Sequence, residues 1–217
     1  MREPETGSLL VAYYEGLLRD RDIDQFRQQV SARYTEGTLC RLLESDDRQS
    51  RRAAVLALGL IGSFESNATV ARALRDGDAI VRNLAVDALW SIWFRADSPE
   101  NNATLEQVQH MISQQRPQEA VSLASRLIGR AANFAEAYNQ RAIAYFVQGQ
   151  FQESADDCER VLERNPYHFG ALGGLAQCQL ALGRRPEALK TLRRALRLQP
   201  YSEGLRNLVA SLEAEGR

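Results

Sequence analysis

The second half of the chain repeats itself at a fixed interval. Ala137-Tyr138-Asn139-Gln140-Arg141-Ala142, Gly149-Gln150-Phe151, Val161-Leu162 and Asn165-Pro166 align with Ala171-Leu172-Gly173-Gly174-Leu175-Ala176, Gly183-Arg184-Arg185, Ala195-Leu196 and Gln199-Pro200, every pair equally far apart, as Leu172 is from Tyr138 and Pro200 from Pro166. A fixed interval marks an array whose units bury their apolar faces only by stacking on one another, and the glycines and prolines at fixed places in each unit read as helix ends. The residue types agree with this. Ala142 and Ala176 are small where two helices must approach closely. Gly149 and Gly183 end the first helix of each unit, where a left-handed residue satisfies orphaned carbonyls. Pro166 and Pro200 follow the second helix, which a proline cannot continue, and Pro186 opens a second helix, where its missing donor costs nothing.

These residues resemble the tetratricopeptide repeat, a helix, turn and helix that recur about every 34 residues. A weaker copy lies one interval earlier, at about 101–134. It keeps Ala120 and Leu127 but has Thr104, Val108, Gln115 and Ala132 where an aromatic or leucine, a small residue, the turn glycine and the proline are expected. After Pro200, Leu205, Leu208, Val209 and Leu212 recur at helical spacing within Glu203–Glu215, as a solvating cap helix would.

The first half has a different, slightly shorter interval. Leu43, Asp47, Arg51, Ala54, Ala57 and Leu58 return as Leu74, Asp78, Arg82, Ala85, Ala88 and Leu89, each pair again equally spaced. The segment from Asp47 to Gly62 resembles a HEAT repeat of the short kind found in bilin lyases, and the resemblance covers two units from about Thr38 to Ala96. An Asp at the turn caps the second helix, and an Arg four residues later is placed to pair with the Asp of a neighbouring unit. Upstream, Ser8 and Asp22 begin two amphipathic helices, one with Leu9, Leu10, Tyr13, Tyr14, Leu17 and Leu18 on its apolar face, the other with Ile23, Phe26, Val30 and Tyr34. The expected fold is all-α, a right-handed α-α superhelix. Residues 1–36 supply capping helices, 37–97 the HEAT-like repeats, and 98–217 the tetratricopeptide repeats, the first degenerate, with a C-terminal cap. Ser98 as cap and Pro99 as first helical residue start a helix directly after the junction, so the arrays are expected to stack continuously; a flexible hinge is the alternative.

Composition removes whole classes of function. The 217 residues carry 27 Lys plus Arg, only one of them lysine (Lys190), against 28 Asp plus Glu, a net charge of −1 that offers no global attraction to nucleic acid. Two histidines, His110 and His168, cannot build a histidine metal cage, and Lys190 has no glycine-rich approach of the phosphate-binding kind. Cys40, Cys158 and Cys178 are odd in number and form no C-x-x-C pair, so they read as reduced thiols. No signal-peptide pattern and no apolar run of membrane-spanning length appears, which points to a cytoplasmic chain with no membrane contact. The sequons at Asn67 and Asn102 then read as chance.

No catalytic constellation, cofactor site or metal site is expected. There is no nucleophile elbow, His110 reads as a groove or core residue and His168 as an inter-repeat surface residue, and the doublets Asp46-Asp47 and Asp156-Asp157 read as caps and solvated charge. What the tetratricopeptide resemblance implies is a groove lined by the first helices. Its family positions fall on Glu136, Asn139, Ile143, Phe146 and Val147, then Gly170, Gly173, Gln177, Leu180 and Ala181, with Asn102, Leu105, Gln109, Ile112 and Ser113 in the degenerate unit. The subgroup that grips chaperone C-terminal carboxylates uses Lys, Asn, Lys and Arg where this sequence has Leu105, Gln109, Gly170 and Gly174, so that binding mode is not expected. A neutral groove with Asn139 and Gln177 to hydrogen-bond a backbone suits an extended or helical apolar segment of a protein or peptide partner. A groove that is merely walled, or filled by the chain's own N-terminal helix, is the competing reading.

From Arg184 to Arg197 six cations face one acid, and Lys190, Arg193, Arg194 and Arg197 share one side of a helix. A solvated face is favoured; the functional alternative is an acidic protein partner or RNA. Trp90, Trp93 and Phe94 are expected to fill the seam between arrays rather than form an exposed hot spot. The function expected from the resemblance is non-catalytic protein binding, as an adaptor or assembly scaffold. A bilin-lyase-like enzyme subunit and an RNA-binding scaffold stand as alternatives.

Overall fold

The computed structural model describes residues 6–214, with residues 6–8 described by their backbone alone. Among the described residues the structure is all-helical, thirteen α-helices with one short 3-10 turn and no strand. The chain divides into two compact units, 1–93 and 94–217.

In the first unit, α1 (Thr6–Asp20) and α2 (Ile23–Arg33) lie against α4 (Arg48–Ile61). The first of these starts at Thr6, ahead of the expected Ser8. Leu10, Tyr14, Phe26 and Val30 are buried, whereas Leu18 and Ile23 face water, so each helix buries a narrower stripe than its sequence implies. The predicted caps form: Asp22 accepts from the Gln25 N–H, and Asp47 from the N–H and hydroxyl of Ser50. The shorter repeat interval is visible in the helix bounds. α3 (Glu36–Leu43) and α4 recur as α5 (Asn67–Ala73) and α6 (Ala79–Phe94), with the 3-10 turn Phe64–Ser66 leading into α5.

The turn arginines repeat as well. Arg51 donates to the carbonyls of Ser45 and Asp46, and Arg82 to those of Asp76 and Gly77, the same two positions one interval on. The predicted inter-unit pair forms with a different partner. Arg51 reaches Asp76 through two donors at 2.8 and 3.1 Å, and the cap Asp78 is taken by Arg52 at 2.6 Å. Arg51 is held at the turn by its carbonyl bonds, so it meets the first carboxylate of the next turn rather than the cap. Trp93 is buried and donates its indole N–H to Asn67 at 2.8 Å, while Trp90, half-buried, meets Trp93 edge-on at 5.1 Å. Asn67 is 4% exposed, which removes it as a glycan acceptor in the folded chain.

The second unit runs α7 (Pro99–Ser113), α8 (Pro117–Arg130), α9 (Ala135–Val147), α10 (Phe151–Arg164), α11 (Phe169–Ala181), α12 (Arg185–Leu198) and α13 (Glu203–Ala214). The last of these is the expected cap helix, and Glu215 lies outside the described residues. From α10 onward every helix starts one full repeat interval after the helix two places before it. Gly149 and Gly183 both sit at φ 74°, and Gln115 holds the same left-handed turn at φ 59° without being glycine. All three turns close with the same six-to-one bond, from Arg116, Gln150 and Arg184 to the carbonyls of Met111, Tyr145 and Gln179. The degenerate copy has thus lost the turn residue but kept the turn. Ser98 caps α7 through the Asn101 N–H with Pro99 in the first turn, as its sequence predicts. Phe94 packs on Leu105, Leu127 and Phe134 in this unit. The main core joins Tyr138, Ala142, Cys158, Val161, Leu172, Leu175 and Cys178. Gly174 permits the approach of α11 to α10, because a Cβ there would stand 3.2 Å from the Cys158 sulfur. Burial pushes the Cys158 thiol up, and Cys178 donates to the Ser154 hydroxyl at 3.2 Å; all three cysteines are free.

Candidate functional site

The first helices of the repeats, α7, α9 and α11, pack as neighbours with α9 between the other two. The residues expected on their shared face do not behave alike. Ile143 (40% exposed) and Val147 (50%) stand open one turn apart on α9. Gln177 and Ala181 on α11 and Gln109 and Ser113 on α7 are exposed, and Gly173, Leu180 and Ile112 are half-buried. Leu180 packs on the core of Ala176, Leu192, Val209 and Leu212. Phe146 is drawn inward, edge-on to Phe151 at 5.3 Å and packed on the main core.

Asn139 departs from expectation. It is 4% exposed, and its amide donates to Glu136 Oε1 at 2.8 Å, so that donor is not offered to a partner backbone. Glu136, also a groove position by resemblance, is 1% exposed. Its carboxylate accepts from Asn139, from Gln140 at 2.8 Å and from His168 Nε2 at 2.8 Å. His168, which the sequence places at the surface between repeats, is instead fully buried. Its Nδ1 accepts the Ala171 N–H at 2.9 Å, capping α11, so the ring proton sits on Nε2 and points at Glu136. Three donors thus meet this buried carboxyl group, satisfying acceptors that burial would otherwise leave unpaired. The two counterpart positions one interval earlier are Asn102 and Phe134, and that difference is the signal the sequence holds for the cluster.

The other titratable groups sort as follows. His110 is exposed and bonds Gln114 at 2.8 Å, so it is not a core residue. Asp156 is solvated, but Asp157 is buried and takes two bonds from Arg141 at 2.7 and 2.8 Å. The Asp157 hydrogen bonds raise the Arg141 guanidinium further above its ordinary value, against the opposing effect of burial. The basic stretch divides: Arg193 pairs with Glu213 at 2.6 Å, whereas Lys190, Arg194 and Arg197 line a cleft with Glu159, Glu163 and Glu187. Its surroundings are therefore of mixed charge. Among the described residues no three His, Cys, Asp or Glu side chains gather to hold a metal ion, and no helix is long and apolar enough to cross a membrane.

Family models match along most of the chain: HEAT repeats over residues 35–124, and tetratricopeptide repeats over 105–168 and 146–212. The chain is built of HEAT and tetratricopeptide repeats. The HEAT and tetratricopeptide matches overlap on the hairpin of α7 and α8, the copy that lacks the turn glycine. A TPR repeat-containing protein of Rhizobium etli is 32% identical over 108 residues, 50% of this chain and 53% of that protein, so the chain spans about half the length of this curated relative. Among solved structures, the first TPR of Spaghetti (RPAP3), bound to an HSP90 peptide, superposes with a TM-score of 0.52 at 22% identity, over 55% of this chain and 98% of that one. The Sgt2 TPR domain from Aspergillus fumigatus gives 0.51 at 16% identity, over 55% and 81%. At these identities the likeness is one of fold.

Proposed function

We propose that this chain is a non-catalytic protein-interaction module that holds an apolar segment of a partner protein on the face of α7, α9 and α11. The observation that carries this is the pair Ile143 and Val147, two large apolar side chains left open one turn apart on α9, with the uncharged Gln109, Ser113, Gln177 and Ala181 exposed on the neighbouring helices α7 and α11. The Spaghetti neighbour, bound to an HSP90 peptide, supports this use of the fold. An acidic chaperone tail is a poor fit here. Leu105 is fully buried, Gly170 has no side chain, and an arginine at Gly174 would push its Cβ against Cys158.

The test is affinity capture from the native cell with wild type beside Ile143→Glu with Val147→Glu. Both sites are exposed, so an unchanged far-UV circular dichroism spectrum certifies the fold. Loss of the captured partners is expected. Recovery of the same partners by both proteins overturns the assignment of this face.

A further inference from the structure

Of the two clefts between successive second helices α8, α10 and α12, the first is closed within the chain and the second is left open. Between α8 and α10, Arg141 rises from α9 to Asp157 and, at 3.0 Å, to Ser125, with its guanidinium 5.8 Å from the Tyr138 and Tyr145 ring centres. One interval later Tyr138, Arg141 and Tyr145 become Leu172, Leu175 and Gln179, Asp157 becomes Thr191, and Ser125 becomes Glu159. The shorter side chains leave a cavity of about 480 Å³ between α10 and α12. Glu159 and Glu163 of α10 form one bank; Lys190, Arg194 and Arg197 of α12, with Glu187 in the first turn of the same helix, form the other, net cationic bank, and Leu172 and Leu175 are among the residues of the floor. Among the described residues no ion pair joins the banks: Glu163 pairs with Arg164 of its own helix at 3.6 Å, and Arg194 reaches the Pro166 carbonyl at 3.4 Å. The ion pair that closes the first cleft within the chain has become two separated charged stripes.

We propose that this face is the interface of a two-fold dimer, in which α10 and α12 of one copy lie on α12 and α10 of another. An acidic stripe beside a basic one is self-complementary. A half-turn about an axis along the cleft sets each carboxylate bank on the partner's cationic bank, the requirement of an isologous contact. A nucleic acid or an acidic peptide would meet the carboxylates of Glu159, Glu163 and Glu187 along with the cations, so neither matches the whole lining. Two adjacent 14-residue helices, each about 21 Å long and about 10 Å wide, offer roughly 400 Å² per copy, the size of a weak, salt-sensitive contact.

Sedimentation velocity over a concentration series at low salt tests this on the full chain. Wild type is expected to show a monomer–dimer equilibrium. Glu159→Lys with Glu163→Lys, and separately Lys190→Glu with Arg194→Glu and Arg197→Glu, are each expected to weaken self-association at least about tenfold, since like charges then face each other. Mixing the two variants restores the dimer, because one copy is then acidic on both banks and the other net basic on both, Glu187 being the one carboxylate it keeps in the lining. A monomeric wild type overturns the proposal, as does unchanged self-association of the variants or a mixture no more associated than its parts. Every substituted residue except Arg194 is exposed, and circular dichroism certifies the fold of each variant.

Discussion

Replacing His168 by phenylalanine tests how the buried Glu136 cluster is held. Phenylalanine is what the preceding repeat carries there, at Phe134, which is 2% exposed, so the pocket shape is one this architecture accepts. The substitution removes a hydrogen bond to a buried carboxylate, about 1.5–3 kcal/mol, and the side-chain cap of α11, about 1 kcal/mol. Greater apolar burial returns part of this, leaving a loss of roughly 3 kcal/mol. Asn139 and Gln140 still donate to Glu136, which keeps the cost below that of an isolated buried charge. At about 2–4 °C per kcal/mol for a chain of this size, the melting temperature falls by about 6–12 °C. Glu136→Asn with His168→Phe recreates the pairing of Asn102 and Phe134 and is expected to recover at least about half of the loss, because no carboxylate then needs the missing donor. Urea unfolding followed by circular dichroism measures both proteins, with the slope expected to stay constant. A single variant within about 0.5 kcal/mol of wild type, or a double variant no more stable than the single, refutes the reasoning.

Arg141→Ala leaves the Asp157 side chain, 4% exposed, without its cation and is expected to cost about 3 kcal/mol in the same urea assay. Arg141→Lys recovers less than half, because an ammonium cannot span both carboxylate oxygens and Ser125. At the left-handed turns, Gly183→Ala is expected to lower stability by about 1 kcal/mol and Gln115→Gly to raise it by about 0.5–1 kcal/mol, a pair of opposite signs at equivalent positions. Acid should loosen the HEAT unit. The Ser50 hydroxyl lowers Asp47, the Arg52 hydrogen bond lowers Asp78, and at Asp76 burial pushes upward but is outweighed by Arg51 and the Asp78 N–H. Folded values below the ordinary 3.8 mean stability that is present above that pH and lost as the pH falls through the folded values. A melting temperature that does not fall between about pH 5 and about pH 3, or falls equally in Arg51→Gln with Arg52→Gln, would contradict this.

Local physics explains why so much of the fold was legible. The two repeat intervals, the caps at Asp22, Asp47 and Ser98, and the turns at Gly149 and Gly183 each depend on a few neighbouring residues whose backbone preferences act in any context. Gln115 was readable as a missing glycine but not as a turn kept intact, because the six-to-one bond and the packed helices on either side override the preference of one residue. The face of α7, α9 and α11 was legible as a register and only partly as an exposure pattern. Ile143, Val147 and Gln177 do stand open, while Asn139 and Phe146 share their periodicity and are taken up by packing.

What the sequence alone determined, then, is the repeat length, the helix order and the positions of turns and caps, since these follow from contacts within a few residues. Tertiary structure decided the fate of each polar side chain. Glu136 is buried because His168, from the following repeat, supplies its donor. Arg51 takes Asp76 because its other donors are held by its own turn. The charges of α10 and α12 line an open cleft because its floor carries Leu172 and Leu175 where the preceding repeat has Tyr138 and Arg141. Burial and pairing are properties of what the stacked repeats bring alongside a residue, and a linear pattern does not contain them.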